Sequence, residues 1–457
     1  MSVVPQASES VALRFPTGFV WGAATASYQI EGATTLDGRV DSIWDEFCRR
    51  PGAVANGDSG EPGADHYRRY AEDVDLMSSL GIGAYRFSIA WPRLKDLSFY
   101  DRLVDSLLEK GIAPWATLYH WDLPQSLEEA GGWTNRVTAY RFAEYASTVV
   151  GRLGDRVAGW LTLNEPWCAA FLGYGNGVHA PGVRDSRAAV AAAHHLLLGH
   201  GLAMSEIRAG APDVPAGITL NLFPVRPATG SEADADAARR IDGLQNRIFL
   251  NPVLRGEYDA DLLDDLAPYG LQEVIQDTDL KAINQPIDLL GVNYYRAYLV
   301  SAGDPVDGPS EWPGSSDVRF LQSGHPKTEM DWEVQPEGLT ELLVSLSREY
   351  PGLPLYVTEN GAAYPDTFTE DGEIRDAERI AFLDGHLRAA HSAVEQGADL
   401  RGYFCWTLLD NLEWAWGYEK RFGLVHVDFD TQKRTPKDSA RWYSGVIEHN
   451  GLPAAED

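Results

Sequence analysis

Trp160-Leu161-Thr162-Leu163-Asn164-Glu165-Pro166 decides how this chain reads. Its first four residues are apolar or β-branched, as in a short buried strand. The last three are an amide, a carboxylate and a residue that cannot continue a sheet ladder. A carboxylate where a buried strand turns is a costly place for a structural charge. Much later, Leu355-Tyr356-Val357-Thr358-Glu359-Asn360-Gly361 repeats the arrangement. Taken alone, either glutamate reads as a loop residue or as a charge near a helix N-terminus, where the dipole favours it. Together they place two carboxylates at the ends of two buried strands, facing one site.

Outward from this pair, apolar strands alternate with helices. A first strand over 19–26 runs into Ser27-Tyr28-Gln29-Ile30-Glu31-Gly32. Asp65 is expected to cap a helix whose apolar positions recur at spacings of three and four until Gly81 stops it. Strand 85–91 is followed by helix 99–110, with Leu103, Leu107 and Leu108 expected inward. Strand 114–119 leads to His120 and Trp121, and a helix around Phe142 precedes the strand at Leu161. The alternation continues with helix 188–208, strand 218–222, helical material, strand 287–295 and a Pro/Gly/Ser-rich loop over 301–336. A helix near 339–350, strand 355–358, helix 377–396 and strand 403–407 complete it. Near-continuous apolar strands with helices between them imply a parallel sheet covered on both faces. Eight such units imply the α/β class and a single (β/α)8 TIM barrel. The expected division is a flexible arm over 1–12, the catalytic barrel over 13–450 and a tail over 451–457.

Composition narrows the partners. The chain has 457 residues, 44% hydrophobic, enough for one large barrel, and a formal charge of -29. That charge opposes binding to nucleic acid or anionic membrane. No apolar run reaches a membrane span, and the N-terminus lacks the pattern of a secretory signal. Three widely spaced cysteines, Cys48, Cys168 and Cys405, suggest free thiols in a reducing compartment, the cytoplasm.

In such barrels the active site lies at the C-terminal strand ends. Those ends carry Gln29, Arg86, His120, Trp121, Asn164, Glu165, Asn293, Tyr295, Glu359 and Trp406, with Glu413 and Trp414 just beyond. Any one of them could be structural, since Trp and Tyr are common in cores. As a set, polar groups and flat rings suit a sugar: hydroxyls take planar bidentate partners, and a pyranose C–H face packs on indole.

At these residues the chain resembles the β-glucosidases of glycoside hydrolase family 1. The resemblance runs from about Phe15 to Val446, on SYQIEGA at Ser27, DHYRRYAEDV at Asp65, YRFSIAWPR at Tyr85 and TLYHWDLPQ at Thr117. It continues through TLNEPW at Thr162, GVNYYR at Gly291, VTENG at Val357 and DNLEWAWGYEKRFGLVHVD at Asp410. The resemblance implies a retaining β-glycosidase with Glu165 as acid/base and Glu359 as nucleophile, supported by Arg86 and Tyr295. Retention implies carboxyls roughly 5–5.5 Å apart. It further implies glycone contacts by Gln29, His120, Trp121, Asn164, Asn293, Trp406, Glu413 and Trp414, and an aglycone platform at Trp332. Asn164 would meet the 2-hydroxyl. Glu413 would grip the 4- and 6-hydroxyls and repel a phosphate on C6, which argues against the 6-phosphoglycosidases of this family. Glu165 argues against its thioglucosidase branch, which carries Gln there.

The expected substrates are therefore small β-glucosides and oligosaccharides, with no cofactor and no metal. β-Galactosidase, β-fucosidase, a transglycosylating relative and a non-catalytic sugar-binding homologue are the alternatives. Two departures from the family stand out. Only Leu94-Lys95-Asp96-Leu97-Ser98 separates Arg93 from Phe99, where relatives carry a longer Pro/Gly-containing loop; this bears on the rim and on closure near Arg86. Asp331 stands where relatives often have Gly, which bears on Trp332.

Other features read as structural. Adjacent His194 and His195 cannot share a metal at ordinary helix spacing. Gly173, Gly175 and Gly177 form no phosphate-binding signature and read as a loop over the cleft. Cys168 reads as a small buried thiol, and 231–238 as a solvated helix start.

Overall fold

The apolar runs form eight parallel strands in the computed structural model, which describes residues 11–453. They are β1 (Val20–Ala24), β2 (Ala84–Ser88), β3 (Ala113–Tyr119) and β4 (Gly159–Asn164). β5 (Ala216–Asn221), β6 (Leu289–Asn293), β7 (Leu355–Asn360) and β8 (Leu400–Trp406) follow. Each pairs with its neighbour in sequence and β8 closes on β1, giving a closed barrel. Trp115 and Phe404 fill its interior, their rings 5.4 Å apart. Gly361 lets the end of β7 pass β8: a Cβ there would lie 1.6 Å from the Trp406 carbonyl oxygen.

Helices cover the outside. Ser98–Glu109 buries Phe99, Tyr100, Leu103, Val104 and Leu107. Leu108, expected inward, is 43% exposed, because it sits about 100° around the helix from Leu107. Asp65 does precede helix His66–Ser79, but in a left-handed conformation and without a side-chain cap. Its carboxylate pairs with Arg68 and Arg69 instead.

The long segment after β6 is partly ordered by pairing. Tyr298–Ala302 pairs with Val225–Pro227 and with Val318–Leu321 in a three-stranded sheet. Val11–Arg14 and Gly451–Pro453 pair antiparallel, so residues 11–12 and 451–453, read as arm and tail, are tied together. The remainder of both segments lies outside the described residues. Among the described residues, no helix is long and apolar enough to cross a membrane.

Candidate active site

Both marked strands lose register where their carboxylates stand. β4 slips against β5 between Leu161 and Asn164. β7 slips against β6 between Val357 and Glu359, and against β8 between Val357 and Asn360. Such bulges re-aim side chains. Glu359 lies within β7, whereas Glu165 follows β4 with a left-handed φ of 45°, its N–H bonded to the Thr219 carbonyl at 3.0 Å.

One hydrogen-bonded network joins the two. The Arg86 guanidinium donates to Glu359 Oε1 at 2.5 Å and to Asn164 Oδ1 at 2.6 Å. The Tyr295 hydroxyl donates to Glu359 Oε2 at 2.8 Å. Asn293 Nδ2 donates to Asn164 Oδ1 at 3.1 Å and to Glu165 Oε1 at 2.6 Å. Its own Oδ1 accepts from Thr358 at 2.8 Å. The Cys168 thiol lies 3.1 Å from Glu165 Oε2. Asn164 Nδ2 is 3.1 Å from His120 Nε2, so that nitrogen accepts and His120 is neutral. Burial, with Arg86 nearby, also holds its pKa well below the ordinary value.

The cleft above this network encloses about 260 Å³. His120, Trp121, Glu165, Tyr295, Trp332, Glu359, Trp406, Glu413 and Trp414 line it. Arg86, Gln29, Asn164 and Asn293 are buried without forming its wall. Gln29 Nε2 donates to the Leu412 carbonyl at 2.7 Å and to Asn411 at 3.1 Å, leaving its Oε1 buried without a partner. Trp121 and Trp414 rings meet at 4.5 Å. Trp332 packs at 5.2 Å from Tyr295, beneath the Arg296 guanidinium.

Asp331 adopts a left-handed φ of 58°, which Asp tolerates better than most residues, and its carboxylate pairs with Lys327 at 2.7 Å. Trp332 thereby keeps its place on the wall. Trp121 and Trp414 are left-handed too, with φ of 73° and 48°. The short connection after Arg93 leaves the Arg86–Glu359 contact intact. Arg93 is buried, bonded to Glu31 and to the Gly32 and Ala33 carbonyls.

The two glutamates differ in electrostatics. Burial raises the Glu165 carboxyl to about 7, and the adjacent Glu359 contributes; the Asn293 amide and the thiol act against it. Burial raises Glu359 as well, but the Arg86 charge and the Tyr295 hydroxyl oppose it. A guanidinium stabilises a carboxylate more than an amide and a thiol do, so Glu359 ionises first. Glu413 is pushed up to about 8 by burial and by the charges of Glu359 and Glu165.

The wall also includes residues not singled out from the sequence, among them Asn221, Met330 and Phe422. Asn221 could have been found, being a polar residue at a strand end. The segment holding Cys168, Gly173 and Gly175 is a π-helix, Cys168–Gly175, rather than a loop, with both glycines buried. His194 bonds Tyr258 and Asp279, and His195 the Trp133 carbonyl. Asp366, Asp410 and His426 cluster closely enough for a metal. Lys437 already lies 2.7 Å from Asp366 and 3.0 Å from Asp410, and Arg421 2.8 Å from Asp410, so protein cations supply that charge.

The profile of "Glycosyl hydrolase family 1" matches residues 11–452. Thermostable β-glucosidase B of Thermobispora bispora is 51% identical, over 97% of this chain and 93% of its own length. The bifunctional β-D-glucosidase/β-D-fucosidase of Bifidobacterium breve is 48% identical, over 95% and 98%. The crystal structure of the psychrophilic β-glucosidase BglU from Micrococcus antarcticus superposes with a TM-score of 0.93 at 51% identity, covering 96% of this chain and 98% of that one.

Proposed function

The chain belongs to glycosyl hydrolase family 1, and we propose that it is a retaining β-glucosidase releasing terminal glucose from cello-oligosaccharides and aryl or alkyl β-glucosides. One observation carries the mechanism: in a single cleft, Glu359 is held by Arg86 and Tyr295 while Glu165 has only neutral partners. Ionised Glu359 attacks the anomeric carbon as protonated Glu165 passes its proton to the glycosidic oxygen, and the aglycone leaves. Bonding at the anomeric carbon consumes the charge of Glu359, which lowers the pKa of Glu165. Glu165 then takes a proton from water, whose oxygen displaces Glu359 with net retention.

Tryptophan faces and the carboxylate of Glu413 supply the sugar site, and Trp332 the aglycone platform. The barrel acts as one catalytic domain. It works in the cytoplasm, which its three buried, unpaired thiols support.

Comparing kcat/KM on 4-nitrophenyl β-glucoside, β-galactoside and β-fucoside tests the substrate. The glucoside should lead the galactoside, and a galactoside preference would overturn the assignment. β-Fucosidase activity is the second reading, favoured by the bifunctional relative's name. NMR of the first-formed sugar should show the β-anomer.

A further inference from the structure

Of the three cysteines, Cys168 alone lines the cleft. Its N–H bonds the Glu165 carbonyl at 3.0 Å, which places its side chain one turn on, over the carboxyl. Asn221 Nδ2 donates to the sulfur at 3.8 Å, and Asn221 is itself fixed by Gln245, which donates to its carbonyl at 2.7 Å. A sulfur that accepts from an amide on one side has its S–H free for the other. There Glu165 Oε2 lies 3.1 Å away.

We propose that Cys168 is a positioning residue for Glu165: its thiol donates to Oε2, favours the ionised carboxyl and holds it for proton abstraction from water. This rests on the acid/base reading of Glu165. Burial and the neighbouring glutamate keep the thiol itself protonated, so it remains a donor throughout. The other groups around the carboxyl are Asn293, Glu359 on β7, Arg86 on β2 and the Tyr295 hydroxyl, with neutral His120 and Glu413 lining the same cleft. None of them donates to Oε2.

The pH profiles of two rate constants test it. With a nitrophenyl glucoside, the alkaline limb of kcat/KM reports loss of the Glu165 proton in the free enzyme. With a dinitrophenyl glucoside, whose leaving group needs no acid, the acid limb of kcat reports gain of that proton in the glycosyl-enzyme. Removing a donor to the ionised form raises both. Cys168→Val should move both limbs upward by about half a pH unit, the scale of one weak hydrogen bond. Cys168→Ser, which keeps a donor, should restore them, and Cys405→Ala should leave both in place. Changed rates with unmoved limbs in Cys168→Val, or equal shifts in the Val and Ser variants, would overturn the proposal. Glu165→Gln is measured in parallel. If its alkaline limb persists, the acid/base reading falls and the proposal with it. If the limb disappears there yet stays unmoved in Cys168→Val, only the thiol's role falls.

Discussion

The ends of β4 and β7 carry Asn-Glu and Glu-Asn, the same two residues in opposite order. At β7 the glutamate comes inside the strand and turns to the barrel mouth, where Arg86 and Tyr295 meet it. Its asparagine faces away, donating to the Tyr294 carbonyl and accepting from Tyr403, each at 2.6 Å. At β4 the asparagine is the inward residue, bridging Arg86, Asn293 and His120. The glutamate reaches the cleft one step later, on a left-handed backbone. The bulge in each strand thus assigns the residue nearest the guanidinium. Chemical type is shared; charge state follows from position.

Deleting each carboxylate should break this pairing unequally. Glu359→Gly should lower kcat/KM by about 10⁵-fold or more on every substrate, since the proposed nucleophile is gone. Azide added to that variant should attack from the emptied side and give α-glucosyl azide. Glu165→Gly should lose about 10²–10⁴-fold on alkyl glucosides, the usual share of a general acid, and little in glycosylation by dinitrophenyl glucoside. Azide should there intercept the glycosyl-enzyme and give β-glucosyl azide. One anion yielding opposite anomers at the two strand ends would be the sharpest form of the comparison; the same anomer from both would break it.

The gentlest test is a titration. Glu359→Gln removes the negative neighbour that helps raise Glu165 to about 7, so the Glu165 midpoint followed by carbon NMR should fall. An unchanged midpoint would mean that burial alone sets it.

Much of this was legible in the residues. Apolar strands and polar strand ends gave the barrel and both glutamates because period and punctuation are local properties. Leu108 was misread because one helical step separates a buried from an exposed face. Asp65 looked like a cap, but its left-handed backbone directs the carboxylate to Arg68 and Arg69. The bond from the Asn293 amide to Glu165 was not legible, being a contact between residues far apart in the chain. The π-helix at Cys168–Gly175 gave no periodic signal, and the thiol's approach to Glu165 depends on it.

Glu165, Trp121, Trp414 and Asp331 share a left-handed backbone, and all lie at the cleft or beside its platform. Each such non-glycine position costs about 1–3 kcal/mol. The barrel's closure and buried wall carry that load. A laboratory population selected for heat resistance without selection for turnover would drift toward glycine at Glu165, where strain is relieved and no packed indole is lost; at Trp121 and Trp414 the buried rings are worth more than the strain. It would become more robust as it lost that carboxyl. Heat resistance and the Glu165 carboxyl pull that one position in opposite directions, so thermal selection on this scaffold belongs on the outer helices.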